Sequence, residues 1–158
     1  MRSSRRMDLF REFFSLVKRL EESCINYAVV GGVALAFHSI PRLTKDIDIL
    51  GTGEDLEKYY QVLEAAGFRM NAKPWKFANT DLTLHRFMKP SETDPEAYTV
   101  IDLLIGDGKE HRAIINRALE DKSAAGKVMI AQKNDLIAMK RLRGSKQDLA
   151  DIEALSSE

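Results

Sequence analysis

Three aspartates carry the chemistry of this sequence. Asp46 and Asp48 alternate with Ile47 and Ile49 in an unbroken run. Side chains on a strand alternate faces, so the two carboxylates share one face and the isoleucines take the other. Adjacent carboxylates repel unless something positive lies between them, and Mg2+ or Mn2+, which prefer hard oxygen ligands, suit that place. Asp102 lies within Thr99-Val100-Ile101-Asp102-Leu103-Leu104-Ile105. A lone charge in so apolar a run is costly unless it is paired or metal-bound. Two readings follow: a third metal ligand, if its strand neighbours that of Asp46 and Asp48, or a partner for a buried arginine. Upstream, the apolar run Tyr27-Ala28-Val29-Val30 breaks at Gly31-Gly32. Alone, that pair is a tight turn. With a helix behind it, its backbone can approach a phosphate closely and the helix N-terminus offers free N–H groups. Together these parts suit in-line attack on a nucleotide α-phosphate, with metal ions stabilising the attacking and leaving oxygens.

The elements that must position these residues are legible in outline. Phe10, Phe13, Phe14, Val17, Leu20 and Cys24 have helical spacing, which predicts an amphipathic helix over 7–24. A strand over 27–30 comes next, then a small-residue helix from Val33 to about Phe37 and the strand of Asp46 and Asp48. Leu56, Tyr59, Tyr60 and Leu63 mark a second amphipathic helix closed by Gly67. Phe68 to Met70 reads as a short strand, and Leu82, Leu84 and Phe87 as another, with Trp75 to Phe77 as its hairpin partner. Pro90 to Pro95 reads as a polar loop, Tyr98 to Ile105 as a strand, Ala113 to Leu119 as a helix and Gly126 to Ala131 as a short strand or extended segment. Two helices, 133–143 and 146–156, follow. Short strands interleaved with helices give an α/β (α+β) class: a small mixed sheet flanked by helices, with a helical C-terminus. One domain over 1–158 is expected, with its metal and nucleotide core at 27–105.

Composition narrows the class. The chain of 158 residues is 44% hydrophobic and 30% charged, and Lys+Arg and Asp+Glu both number 24. A balanced charge argues against broad, nonspecific nucleic-acid binding. The single cysteine, Cys24, excludes an intrachain disulfide. No apolar run approaches the ~20 residues that span a bilayer. A cytoplasmic protein without a membrane partner or secretory signal is the expectation.

The motifs resemble the nucleotidyltransferase superfamily, the DNA polymerase β-like fold. That family's pattern is Gly-Gly or Gly-Ser, then Asp-x-Asp on a strand, then a third Asp on a later strand. Here these are Gly31-Gly32, Asp46-Ile47-Asp48 and Asp102. Within the superfamily the chain is most similar to small AbiEii-type toxin-like proteins of bacterial toxin–antitoxin pairs. Their run of Gly-Gly-x-Ala-Leu-Ala, Arg-x-Ser/Thr and Asp-Ile-Asp reads here as Gly31 to Ala36, Arg42-Leu43-Thr44 and Asp46 to Asp48. Their helical Lys before Asp-x-x-Asp reads as Lys140 and Asp148-Leu149-Ala150-Asp151. The resemblance implies a metal-dependent enzyme that uses an NTP as substrate and moves an NMP to an acceptor hydroxyl on tRNA, protein or a small molecule. A cognate antitoxin or toxin is the implied partner. Asp46, Asp48 and Asp102 are its expected catalytic and metal-binding residues, and Gly31, Gly32, Arg42, Thr44, Lys140 and Asp148 its expected nucleotide-binding residues. The rival from another class is a catalytically weak antitoxin or partner-binding module on the same fold.

The remaining candidates carry two readings each. Arg42 and Thr44 bind phosphate or order the loop before Asp46. Lys140 reaches the triphosphate or is a snorkelling surface lysine. Asp148 and Asp151 share a helix face and position Lys140 or an arginine, or solvate the helix. Trp75 and Phe77 stack on a base or pack in the hairpin. Arg141, Arg143 and Lys146 form a basic cluster that is a solvated helix end or meets a triphosphate or tRNA. His38, His85 and His111 lack metal-ligand spacing and read as loop or surface residues.

Overall fold

The computed structural model describes every residue except 1, 32, 35–37, 39–45, 79, 91–95, 124–125, 144–145 and 157–158. The chain opens with α1 (Arg2–Glu22), longer at its start than the expected helix, and leaves it through Cys24, whose φ of 56° turns the backbone. Strand β1 (Ala28–Val30) follows, then β2 (Asp46–Gly51), which carries the Asp-Ile-Asp run as foreseen. A 3-10 turn (Gly53–Asp55) leads into α2 (Leu56–Ala65). Gly67, at φ +94°, releases the chain into β3 (Arg69–Met70), and β4 (Trp75–Lys76) pairs with β5 (Leu82–Pro90) as the expected hairpin. Strand β6 (Tyr98–Gly106) holds Asp102.

The region after β6 departs from expectation. The helix there is α3 (Lys109–Asn116), not 113–119. Gly108 is extended and opens the helix early, so that His111, Ile114 and Ile115, at i, i+3 and i+4, form its buried face. Leu119 begins strand β7 (Leu119–Ser123), which makes a hairpin with β8 (Gly126–Ile130). The last helices, α4 (Lys133–Arg143) and α5 (Lys146–Ser156), have the expected bounds.

Among the described residues eight strands form one mixed sheet in the order β3-β5-β6-β2-β1-β8-β7, with β4 pairing β5 off this path. β2 runs antiparallel to β1 and parallel to β6. The face bearing Ile47 and Ile49 is sealed by α1 and α2. Phe13, Leu16, Val17 and Leu20 of α1 and Tyr59 and Leu63 of α2 are fully buried. Tyr60 packs edge-on against Phe87 and hydrogen-bonds His85, while Lys89 binds Glu12 at 3.0 Å. These three partners alternate with Arg86 and Met88 along β5, which places α1 and α2 on the face away from the aspartates.

The aspartate face is covered only in part. Beneath Gly106 the His111 ring fills the space a Cβ would take, so α3 lies on this face, over the end where Leu50, Leu82, Leu84 and Leu104 are buried. At the other end, Asp46, Asp48, Arg86, Met88 and Val100 are half-buried and Tyr98 is exposed. Among the described residues the sheet thus has one closed face and one face open at a single end. Among the described residues no helix is long and apolar enough to cross a membrane.

Candidate active site

Register brings the aspartates together. On adjacent parallel strands Asp48 pairs with Asp102, and Asp46 with Val100. Paired residues present their side chains to the same face, so Asp46, Asp48 and Asp102 share the open face of the sheet. On the other flank Val30 pairs with Asp48, and β1 ends there. The chain turns at Gly31, with φ +70°, and Val33 and Ala34 are helical. A Cβ on Gly31 would collide with the Asp48 carboxylate, so this glycine is required both by its left-handed backbone and by the carboxylate seated against it. The turn at Gly31 and the Asp48 carboxylate are therefore in contact. His38, expected in a loop, accepts or donates a 3.0 Å bond between its Nε2 and the Ala131 carbonyl, which ties the segment after Gly31 to the end of β8.

The third aspartate has a partner that the sequence reading left unnamed. Arg86 lies opposite Asp102 on β5. Its Nε donates to Oδ1 at 2.7 Å and its Nη2 to Oδ2 at 3.0 Å, a bidentate pair. The Asp102 hydrogen bond is the main cause that raises the Arg86 pKa above its ordinary value, and the charges of Asp46 and Asp48 add to it. Arg86 therefore feels all three carboxylates. Its guanidinium also lies 5.8 Å from the centroid of the exposed Trp75 ring. The pattern Leu82, Leu84, Arg86 in β5, with even residues facing Asp102 in β6, is the signal from which Arg86 was identifiable.

Among the described residues no group of three or more His, Cys, Asp and Glu side chains closes on a common metal position. Asp46 and Asp48 nevertheless fit a magnesium-type ion: they are hard oxygen donors on one face, with Asp48 beside the turn at Gly31. Such an ion binds through one or two carboxylates and completes its shell with substrate phosphates and water. Asp102 gives one lone pair of each oxygen to Arg86 and keeps the others, since an ionised carboxylate offers about four acceptor sites.

Lys140 lies elsewhere than at a surface. It is buried in the contact between α4 and α5, where its Nζ donates to Asp151 at 2.9 Å and lies 3.7 Å from Asp148. Asp148 and Asp151 are thus brought to Lys140, one turn apart on α5. Gly32, Arg42 and Thr44 lie outside the described residues. The surface reading of His85 and His111 is corrected. His85 is buried because it faces α2 and meets the Tyr60 hydroxyl at 2.6 Å, and burial lowers its pKa. His111 is buried against Gly106, where a larger residue would not fit.

No protein-family model and no curated protein matches the chain by sequence. Solved structures match it by shape. The lincosamide antibiotic adenylyltransferase LnuA, in its lincomycin-bound form, superposes with a TM-score of 0.60 at 16% identity, covering 93% of this chain and 96% of that one. An antigenic nucleotidyltransferase-like protein from Paracoccidioides brasiliensis gives 0.58 at 18% identity, over 94% of this chain and 75% of that one. ANT(2″)-Ia in complex with adenylyl-2″-tobramycin gives 0.54 at 14% identity, over 89% and 83%. The chain has the nucleotidyltransferase fold.

Proposed function

We propose that this protein is a metal-dependent nucleotidyltransferase that moves an NMP from an NTP to an acceptor hydroxyl and releases pyrophosphate. The observation that carries this reading is the register of Asp46, Asp48 and Asp102 on one open sheet face, with Gly31 pressed against Asp48. The nucleotidyltransferase shape of the chain and the small-molecule adenylylation named for two of its structural neighbours support it.

In this reading Asp46 and Asp48 hold Mg2+ or Mn2+, with Asp102 beside them. Bound there, the ion would offset the charge that develops on the phosphate oxygens. Gly31 and Gly32 let the triphosphate approach the backbone, and the helix N-terminus behind them offers N–H donors. Arg42 and Thr44 complete the phosphate contacts. Asp102, oriented by Arg86, takes the proton of the acceptor hydroxyl as that oxygen bonds to the α-phosphorus and the bond to the pyrophosphate breaks. Lys140 and Asp148 fix α5 on α4, and a triphosphate contact by Lys140 would use an N–H other than the one given to Asp151. The toxin–antitoxin role that the AbiEii-type resemblance implies belongs to this reading as its cellular setting.

One observation favours the rival, a partner-binding or antitoxin module without strong catalysis: both oxygens of Asp102 are engaged by Arg86. Incubation with labelled NTPs, Mg2+ and panels of small-molecule, tRNA and protein acceptors separates the two. Transfer of label, lost in the Asp46→Ala, Asp48→Ala double variant, is the expected result. Absence of transfer with every NTP, together with nucleotide binding that the double variant leaves unchanged, would overturn the enzyme.

A further inference from the structure

Across the sheet from the carboxylates, beyond Arg86, the aspartate face carries an exposed ring on its outer strand. Trp75 pairs with Leu84, so it stands on the same face as Arg86 and Asp102. It is 44% exposed although it is the only tryptophan of the chain, and Arg86 lies against its ring. Met88 and Val100, paired with each other and half-buried, lie on the other side of Arg86, and Tyr98, 54% exposed, stands farther along the same face. An exposed aromatic in hairpin packing alone needs no explanation. This one is joined through Arg86 to Asp102, and so to the proposed reaction.

We infer that Trp75 and Arg86 form the binding platform for the acceptor, and that the acceptor is a small hydroxylated compound bearing a flat aromatic or heteroaromatic ring. The inference rests on the nucleotidyltransferase reading and follows from the line of attack. The Gly31 turn flanks Asp48 from the β1 side, so the triphosphate and its leaving pyrophosphate occupy that side. In-line displacement requires the acceptor to enter from the opposite side, over β6 and β5. There it meets Asp102, then Arg86, then Trp75. Strands lie about 4.8 Å apart and Leu84, opposite Trp75, is two residues from Arg86, so Asp102 and Trp75 are roughly 12 Å apart at the backbone, and the Trp75 ring leans back toward Arg86. That length fits a ring joined to a sugar or similar polyol, with the ring on Trp75 and a hydroxyl at Asp102. Because Asp102 neutralises Arg86, the two platform side chains offer ring faces rather than net charge.

The single tryptophan makes the test direct. Phenyl β-D-glucopyranoside, the ring-bearing probe, is titrated against the whole chain while Trp75 emission is followed, with glucose as the ringless control. Saturable quenching by the phenyl glucoside and none by glucose is expected. In calorimetry Trp75→Ala weakens phenyl glucoside binding about tenfold, in line with the loss of one stacking contact, and Trp75→Phe largely restores it. ATP binding with Mg2+ stays unchanged in both variants. No saturable response to phenyl glucoside, or a response to bulk tRNA alone, overturns the platform. Weakened ATP binding in Trp75→Ala also overturns it, because Trp75 would then hold the donor base. If instead the ring probe binds and ATP with Mg2+ does not, the transferase reading fails while the ring platform stands, so the two failures are distinguishable.

Discussion

Two clusters in this molecule combine aspartates with one cation, and they are built for opposite ends. Asp102 meets Arg86 on an open sheet face, where the Arg86 side chain is 41% exposed. Asp148 and Asp151 meet Lys140 between two helices, where the lysine side chain is only 8% exposed. The residue types are alike, so the surroundings decide what each does. Charge at the first cluster is within reach of a ligand, whereas charge at the second is satisfied internally and locks α5 onto α4. A buried pair is costly to break because the partner left behind keeps its desolvation penalty.

The comparison breaks first at Lys140. Lys140→Ala is expected to cost about 3–5 kcal/mol, read as a lower urea midpoint and a Tm reduced by roughly 10 °C. A triple replacement of Lys140, Asp148 and Asp151 by Met, Leu and Leu should recover most of that loss. If Lys140→Ala unfolds like the parent yet abolishes nucleotide binding, the lysine belongs to the site and the contrast is wrong. Gly31→Ala comes next. It combines left-handed backbone strain with a collision at Asp48, at a cost of about 1–3 kcal/mol, and it should also weaken Mg2+-dependent nucleotide binding. Arg86→Ala should cost about 1–3 kcal/mol, because the exposed guanidinium is solvent-screened but the buried Asp102 carboxylate loses its partner, while label transfer falls at least tenfold.

The acidic centre was legible because its parts repeat on a period of two. Asp46 and Asp48 against Ile47 and Ile49 require one polar and one apolar face, and the apolar flanks of Asp102 mark a buried strand. Helix bounds at 133–143 and 146–156 followed from apolar periodicity and Gly144. Strand β7 was not legible: Leu119-Glu120-Asp121-Lys122-Ser123 has the charged make-up of a protected sheet edge, with no alternation to read. The start of α3 was misplaced because the burial of His111 depends on Gly106, which a local pattern does not reveal. Arg86 escaped for a similar reason. Its partner is fixed by the β5–β6 register, a property of two strands together.

The smallest effect tests the closed face. Burial lowers the His85 pKa, so the folded protein resists a proton that the unfolded chain accepts at its ordinary value near 6.5. The stability linked to His85 is full above that value. It is lost as the pH falls from there through the lowered folded pKa. Denaturant midpoints measured between pH 7 and 5 should therefore decline more steeply for the parent than for His85→Gln. Parallel curves would remove His85 from the account.

The place of β1 in the sheet has a kinetic consequence. Its outer neighbour is β8, joined through the parallel pair Val29 and Ile130. Until that distant strand arrives, β1 is a sheet edge. The Tyr27 hydroxyl, which accepts from the Met129 amide and meets Glu21 of α1, closes the same gap. Contacts so far apart along the chain form late and slowly. During synthesis the turn at Gly31 gains its second flank only after residue 130 has emerged, so nucleotide-binding competence and completion of the sheet should appear in one step.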